Sequence, residues 1–267
     1  MRHTNESASG SAPALDRGLA LLDLLAGSFR KGASASQLQT QLHVPRASLY
    51  RLLKPLCARR LVEQDPRSGL YRLGRRTLEV GYLAREAVPL VREVKPILRE
   101  ITQATHQMSE LCVAVGRWEL MMMDVWLAER TPAEVLARSG LLFQLNHLVA
   151  HGLVYLACDG ERRVPEYLAR TSDAEQRRRL GLNRAPPGDL AERCARVRDL
   201  GWVMVSQPHP DIARARVSVP VFDPHSSSPR LAGALGVVFA TSEYSPRLGA
   251  EWAGVLRTHA RVLERLL

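Results

Sequence analysis

Cysteine is scarce and scattered in this chain of 267 residues: Cys57, Cys112, Cys158 and Cys194 lie far apart and make no CxxC pair. That pattern fits reduced thiols in the cytoplasm better than a disulfide framework or a structural zinc site. Long apolar runs are missing too. None approaches the roughly 18 residues that a membrane span requires, so no membrane partner is expected. Met1–Pro13 is polar and rich in Ser and Ala, without an apolar signal core, and reads as a disordered tail. The chain carries no P-loop, dinucleotide fingerprint, nucleophile elbow or HExxH helix, and no acid pair stands out. Neither a cofactor nor an organised catalytic set is therefore expected. Acidic residues are in deficit: 27 Asp and Glu face 37 Lys and Arg, a net charge of +10.

The basic excess is uneven. Residues 1–80 hold 13 basic and 6 acidic side chains, whereas residues 81–267 hold 24 and 21. Positive charge gathered in one part is the electrostatic footprint of a phosphate-binding surface. Within that part, Val44–Leu56 has the pattern of a short two-faced helix. Pro45 sets φ at the first turn. Leu49, Leu52, Leu53 and Leu56 recur at helical spacing and form a buried face. Arg46, Ala47, Ser48, Tyr50, Arg51 and Lys54 lie off that face. Cationic and hydroxyl groups on such a helix can reach base edges and phosphates in a DNA major groove. An ordinary surface helix would look the same, so the flanking segments decide.

Leu15, Leu19, Leu22 and Ala26 mark a first helix. Ser34 and Gln37 have capping-box spacing and open a second helix that runs to about Leu42. The short turn His43–Pro45 then leads into the basic helix, which is the helix-turn-helix arrangement. His43 stands where a glycine is common, and His is among the residues enriched at left-handed positions. Leu61–Gln64 and Leu70–Leu73 read as strands around the turn Asp65–Gly69. That hairpin is a wing, with Arg67 at its tip and Arg72 on the return.

Ala14–Leu25, Val44–Leu53, Leu61–Pro66 and Tyr71–Gly74 resemble, in sequence and spacing, the DNA-binding domain of IclR-type transcriptional regulators. The likeness extends more weakly over almost the whole chain. It implies an α+β protein: a winged helix-turn-helix over residues 14–80, then a linker helix and a GAF-like mixed α/β effector-binding domain over residues 81–267. The linker is expected over Arg75 to about Ala87, with a boundary near residues 86–90. The resemblance also implies dimers, often paired into tetramers, on a palindromic operator in double-stranded DNA.

In the second part, Leu90, Val94, Ile97, Leu98 and Ile101 mark a helix. Six strands are expected: Leu111–Val115, Glu119–Trp126, the candidate Val135–Ser139, Trp202–Ser206, Ala215–Phe222 and Leu231–Thr241. Helices are read at about Asn146–Cys158, Val164–Arg170, Leu190–Leu200 and from Pro246 to the C-terminus, packed on one side of the sheet. The block from His147 through Gly152 to Ala157 resembles the family's helix beside its pocket, and Gly201–Asp223 resembles its central strands. His147 takes the family's histidine position if one residue is inserted after Gly140. Without the insertion Asn146 does.

Spacing puts His147 and His151 four apart on that helix, where two imidazoles could face a metal. No third ligand presents itself, so lining a small-molecule pocket is the reading preferred. Alternation along Arg214–Phe222 places Ala215, Val217, Val219 and Val221 on one face and Arg214, Arg216 and Ser218 on the other. Arg216 stands where the family usually has Cys, and Gly236 and Val238 replace the Ser residues that often contact a small acid. These departures point to an aromatic or hydrophobic acid whose carboxylate is held by arginine. Pairing of both arginines with acidic neighbours such as Asp211 or Asp124 is the alternative. Asp124, Trp126, Leu141 and Phe143 complete the candidate pocket. The sequence thus describes a ligand-responsive DNA-binding regulator rather than an enzyme. A catalytic α/β domain localised by a DNA-binding module, or a regulator without a small-molecule effector, remains open.

Overall fold

The computed structural model describes residues 12–27, 29, 31–129, 131, 139–160, 163–172, 189–208, 213–226, 230–243 and 245–267. The chain divides between Ala87 and Val88 into two compact units.

The first unit contains α1 (Pro13–Ala26), α2 (Ala35–Leu42), α3 (Arg46–Ala58), β1 (Val62–Gln64), β2 (Tyr71–Leu73) and α4 (Arg75–Glu86). Local signals set the elements. Ser34 and Gln37 form the reciprocal capping box that starts α2. His43 takes the left-handed conformation, φ 51°, which stops α2 and turns the chain toward α3. Pro45 sits just before the first helical residue, one place earlier than the sequence suggested. Leu21, Leu25, Leu38, Leu49, Leu53, Val62 and Tyr71 close one small core, with Leu52 and Leu56 at its rim. Ala33 pairs with Tyr71 through two backbone hydrogen bonds of 2.8 Å, tying the wing to the helical part.

The second unit contains α5 (Pro89–Thr105), β3 (Met108–Gly116), β4 (Glu119–Trp126), β5 (Leu141–Gln144), α6 (Ala150–Cys158), α7 (Arg163–Arg170), α8 (Leu190–Leu200), β6 (Val203–Pro208), β7 (Ala213–Asp223), β8 (Arg230–Ala240) and α9 (Pro246–Glu264). The strands form one antiparallel sheet of order β5-β4-β3-β8-β7-β6. The expected strand Val135–Ser139 falls largely on residues outside those described, and Ser139 itself lies in a turn. Among the described residues, β5 lies at that end of the sheet.

Helices cover both faces of the sheet, not one. Val217, Val219 and Val221 pack with Leu98 and Ile101 of α5 and Leu256 of α9 on one side. On the other, Cys112, Leu120 and Ala234 pack with Leu153 and Leu156 of α6 and Cys194 and Val197 of α8. The physical reason is that this second face is apolar too: Cys112, Leu120, Leu231 and Ala234 would otherwise meet water, and α6 and α8 bury them. The helix expected from Asn146 begins only at Ala150. The Asn146 side chain accepts the backbone N–H of Leu148 at 2.8 Å, which holds a turn where the helix would otherwise have started.

Candidate functional site

In the first unit, the candidate DNA surface is α3 and the wing. Arg46, Ala47, Tyr50, Arg51 and Lys54 are exposed on α3, and Ser48 is half-buried. Arg51 donates to the Ser48 hydroxyl at 3.0 Å, and the Arg46 guanidinium lies over the Tyr50 ring at 5.8 Å. These contacts orient two cations on the exposed side of a helix whose back is fixed by Leu49 and Leu53. At the wing, the Asp65 carboxylate accepts the backbone N–H groups of Arg67 and Ser68, both at 2.9 Å. Those bonds hold the Asp65 carboxyl below its usual range. Gly69 closes the turn at φ 69°, a conformation that suits glycine. Arg67 projects exposed from this turn, and Arg72 stands 3.8 Å from Asp65 on the return strand.

The second unit brings together residues from four elements on the α6 face of the sheet. Register does the first part of the work. Glu110 of β3, Gly236 of β8 and Ser218 of β7 lie side by side on one rung. Met108, Val238 and Arg216 make the next, and Ala240 and Arg214 the one beyond. α6 then lays His151 across the sheet. Its Nε2 is 2.8 Å from Glu110 Oε1, and its Nδ1 is 3.0 Å from the Ser218 hydroxyl. Arg216 donates from Nε to the same Glu110 oxygen and from Nη2 to Oε2 at 3.4 Å. Glu110, His151 and Ser218 have no exposed surface at all.

Burial alone would push Glu110 up. The Arg216 cation, His151 and their hydrogen bonds outweigh it and hold the carboxyl at about 2, so Glu110 is ionised. Burial lowers the His151 pKa, and Arg216 adds to this, against the opposing pull of Glu110. A neutral imidazole follows. It donates from Nε2 to the carboxylate and accepts a hydrogen bond from the Ser218 hydroxyl at Nδ1.

Arg216 is therefore not waiting for a ligand: an internal carboxylate already holds it. This is the acidic-neighbour pairing, but the partner is Glu110, not Asp124, and Asp211 lies outside the described residues. Arg214 differs. It is half-buried and has no carboxylate within ion-pair distance among the described residues. Burial, then the neighbouring Arg216 cation, lower its pKa, with Glu110 opposing.

The remaining candidates scatter. Phe143 packs with Met108, Met122 and Val238 as an apolar floor beside Arg216. Trp126 packs with the cluster on the α5 side, so it faces away from His151. Leu141 is exposed on edge strand β5. Asp124 accepts the Ser139 hydroxyl at 3.3 Å and the Val125 N–H at 3.0 Å. His147 precedes α6, so it does not share a helical face with His151; its Nδ1 meets the Tyr167 hydroxyl at 3.0 Å instead. Among the described residues no cluster of three His, Cys, Asp or Glu could hold a metal. An open cleft of about 690 Å³ lies away from this cluster, walled by Cys158, Val164, Cys194, Arg198 and Phe222.

A helix-turn-helix with a wing, followed by a helix-covered antiparallel sheet with a buried polar cluster, is the make-up of a transcriptional regulator with an effector-binding domain. Family models bear this out: the IclR helix-turn-helix domain matches residues 14–66, and the bacterial transcriptional regulator IclR C-terminal domain matches residues 82–265. The chain belongs to the IclR family. Similar solved structures include an IclR-type regulator from a Silicibacter species, at 24% identity and TM-score 0.76, covering 94% of this chain and 95% of that one. An IclR homologue from Microbacterium hydrocarbonoxydans, solved in complex with 4-hydroxybenzoate, is 20% identical with TM-score 0.75, covering 95% and 98%. The Thermotoga maritima IclR aligns at 17% identity and TM-score 0.64, covering 96% and 98%. Identities this low speak to the fold. No match is found among curated proteins. No helix among the described residues is long and apolar enough to cross a membrane.

Proposed function

We propose that the chain is a ligand-responsive, DNA-binding transcriptional regulator of the cytoplasm whose effector is a small carboxylic acid. Residues 14–80 bind double-stranded DNA, with Arg46, Ser48, Tyr50 and Arg51 at the major groove and Arg67 and Arg72 on the backbone. Residues 81–267 comprise the linker and the sensor. Leu15 and Leu19 on α1, and Leu78 and Tyr82 on α4, are exposed apolar pairs one helical turn apart. They support self-association, and a two-fold dimer would read a palindromic operator.

The observation that carries the acid reading is the pair of guanidiniums on β7, of which Glu110 engages only Arg216. A bound carboxylate at Arg214 would complete the charge balance of a largely buried site. The apolar floor of Met108, Met122, Phe143 and Val238 suits an aromatic or hydrophobic acid. The Microbacterium homologue, with its bound 4-hydroxybenzoate, is in keeping with that class. The anchor is Arg214, not Arg216.

Two measurements test this. Selection from a random duplex library should enrich one palindromic sequence, and Arg46→Ala should weaken it. A thermal-shift screen with aliphatic and aromatic acids should find a stabilising acid whose effect vanishes in Arg214→Ala. A duplex bound equally by wild type and Arg46→Ala would refute the groove assignment. Absence of any acid-induced shift would refute the effector class.

A further inference from the structure

The polar cluster on the α6 face carries an unequal set of charges, and the inequality has a chemical meaning. Arg214 and Arg216 supply two cations, and Glu110 supplies one anion. His151 is accounted for by Glu110 and Ser218. Among the described residues, the charged or titratable groups brought together here are Glu110 on β3, His151 on α6 and the two arginines on β7, with the buried Cys112 thiol two residues along β3. The arginines share one face of the strand and lie two residues apart, about 7 Å along it. Asp124 on β4 is occupied with Ser139 and its own chain.

We infer that Glu110 fixes the charge of the effector, so that this site accepts a monoanionic acid and rejects dianions and uncharged analogues. The inference rests on the acid-sensor reading above and deepens it. One guanidinium is already neutralised from within, which leaves the site one positive charge to offer. A monocarboxylate brings the set to neutrality. A dicarboxylate placed there leaves one negative charge in a place with little water to solvate it, and an amide leaves Arg214 uncompensated. Burial lowers the Arg214 pKa, in keeping with a cation that gains from a nearby anion. Glu110 touches no ligand in this account: it sets specificity through Arg216, as an anion that belongs to the protein.

The same arithmetic predicts how substitutions redirect the preference. Glu110→Gln keeps the shape of the side chain and leaves two uncompensated guanidiniums, so dianions should become the better ligands. Arg216→Gln added to Glu110→Gln removes one cation again and should restore the monoanion preference. No purely structural role for Glu110 predicts that reversal and its rescue.

The experiment is calorimetric titration at neutral pH with matched probes: benzoate, benzamide and phthalate, then hexanoate and adipate. Wild type should bind the monoacid of a pair more tightly than its dianion or amide by roughly tenfold or more. Glu110→Gln should invert the mono-to-dianion order, and the double variant should return it. Wild type binding mono- and dianions alike would overturn the charge selection while leaving the acid sensor intact. Wild type binding neither would overturn both. The wild-type comparison stands even if a variant fails to fold. An unchanged order in a folded Glu110→Gln would overturn the role of Glu110.

Discussion

The imidazole of His151 lies against the backbone of Gly236: a Cβ at that position would stand 2.7 Å from His151 Cε1 and 3.1 Å from the Val217 carbonyl. Glycine is what lets α6 lower a histidine onto the sheet between Glu110 and Ser218. Gly236→Ala should therefore displace His151 and cost about 1–3 kcal/mol, as overpacking does. Urea unfolding measures it. A loss below a few tenths would mean that the ring moves aside freely.

Removing one partner of a buried ion pair is expected to hurt more than removing both. Glu110→Ala should destabilise the second unit by about 3–5 kcal/mol, because it strands the Arg216 cation. Replacing both Glu110 and Arg216 with Met should recover much of that loss. A double variant as unstable as Glu110→Ala would show that the cluster matters for packing rather than charge.

Acid should unfold this unit through the same cluster. Glu110 is depressed to about 2 from an ordinary 4.5. A depressed carboxylate contributes stability above the unfolded-state pKa, and that stability drains away as pH falls from 4.5 toward 2. His151 is also lowered, from 6.5. The unfolded chain then binds the extra proton first, so stability starts to fall below about pH 6.5. Both effects have one sign. Melting temperatures measured from pH 7 to pH 3 should decline throughout, with a shallower slope at the acid end for Glu110→Gln.

On the DNA side, two arginines should behave differently. Arg46→Ala should cost on the order of 1–3 kcal/mol on the selected duplex and relax preference at one base position. Arg67→Ala, at the tip of the wing, should weaken all duplexes about equally and reduce the salt slope by roughly one unit. Fluorescence anisotropy at several salt concentrations separates the two. Loss of base preference in Arg67→Ala instead would exchange their roles.

How much of this was legible beforehand depends on the distance over which each feature is written. The winged helix is written locally. Ser34 and Gln37 are three residues apart, His43 carries its own left-handed turn, and Asp65 folds the wing over its next three residues. The alternation of β7 likewise placed Arg214, Arg216 and Ser218 on one face without any partner being known. The polar cluster is written at long range: Glu110 and Arg216 are 106 residues apart, and Glu110 and His151 are 41 apart. Glu110 lies one residue before the apolar alternation that begins at Leu111, so the pattern alone leaves it outside a strand that in fact starts at Met108. One signal was present. An ionisable residue alternating with Met108 and Cys112 on a strand's buried face needs a partner, and Arg216 was the cation on the opposite strand pattern. His147 and His151 do not keep helical spacing for a local reason: the Asn146 turn delays α6 to Ala150, a side-chain to backbone bond that apolar periodicity does not signal.

An acid held at Arg214 is expected to change DNA binding by the other unit. The direct measurement is the affinity of wild type and Arg214→Ala for the selected duplex, with and without a saturating monocarboxylate. Coupling between two sites predicts a change of about 5–150-fold in wild type, and the same factor on acid affinity when DNA is bound. Arg214→Ala should bind the duplex normally and ignore the acid. Equal duplex affinity with and without acid in wild type, with the acid shown to be bound, would contradict the account.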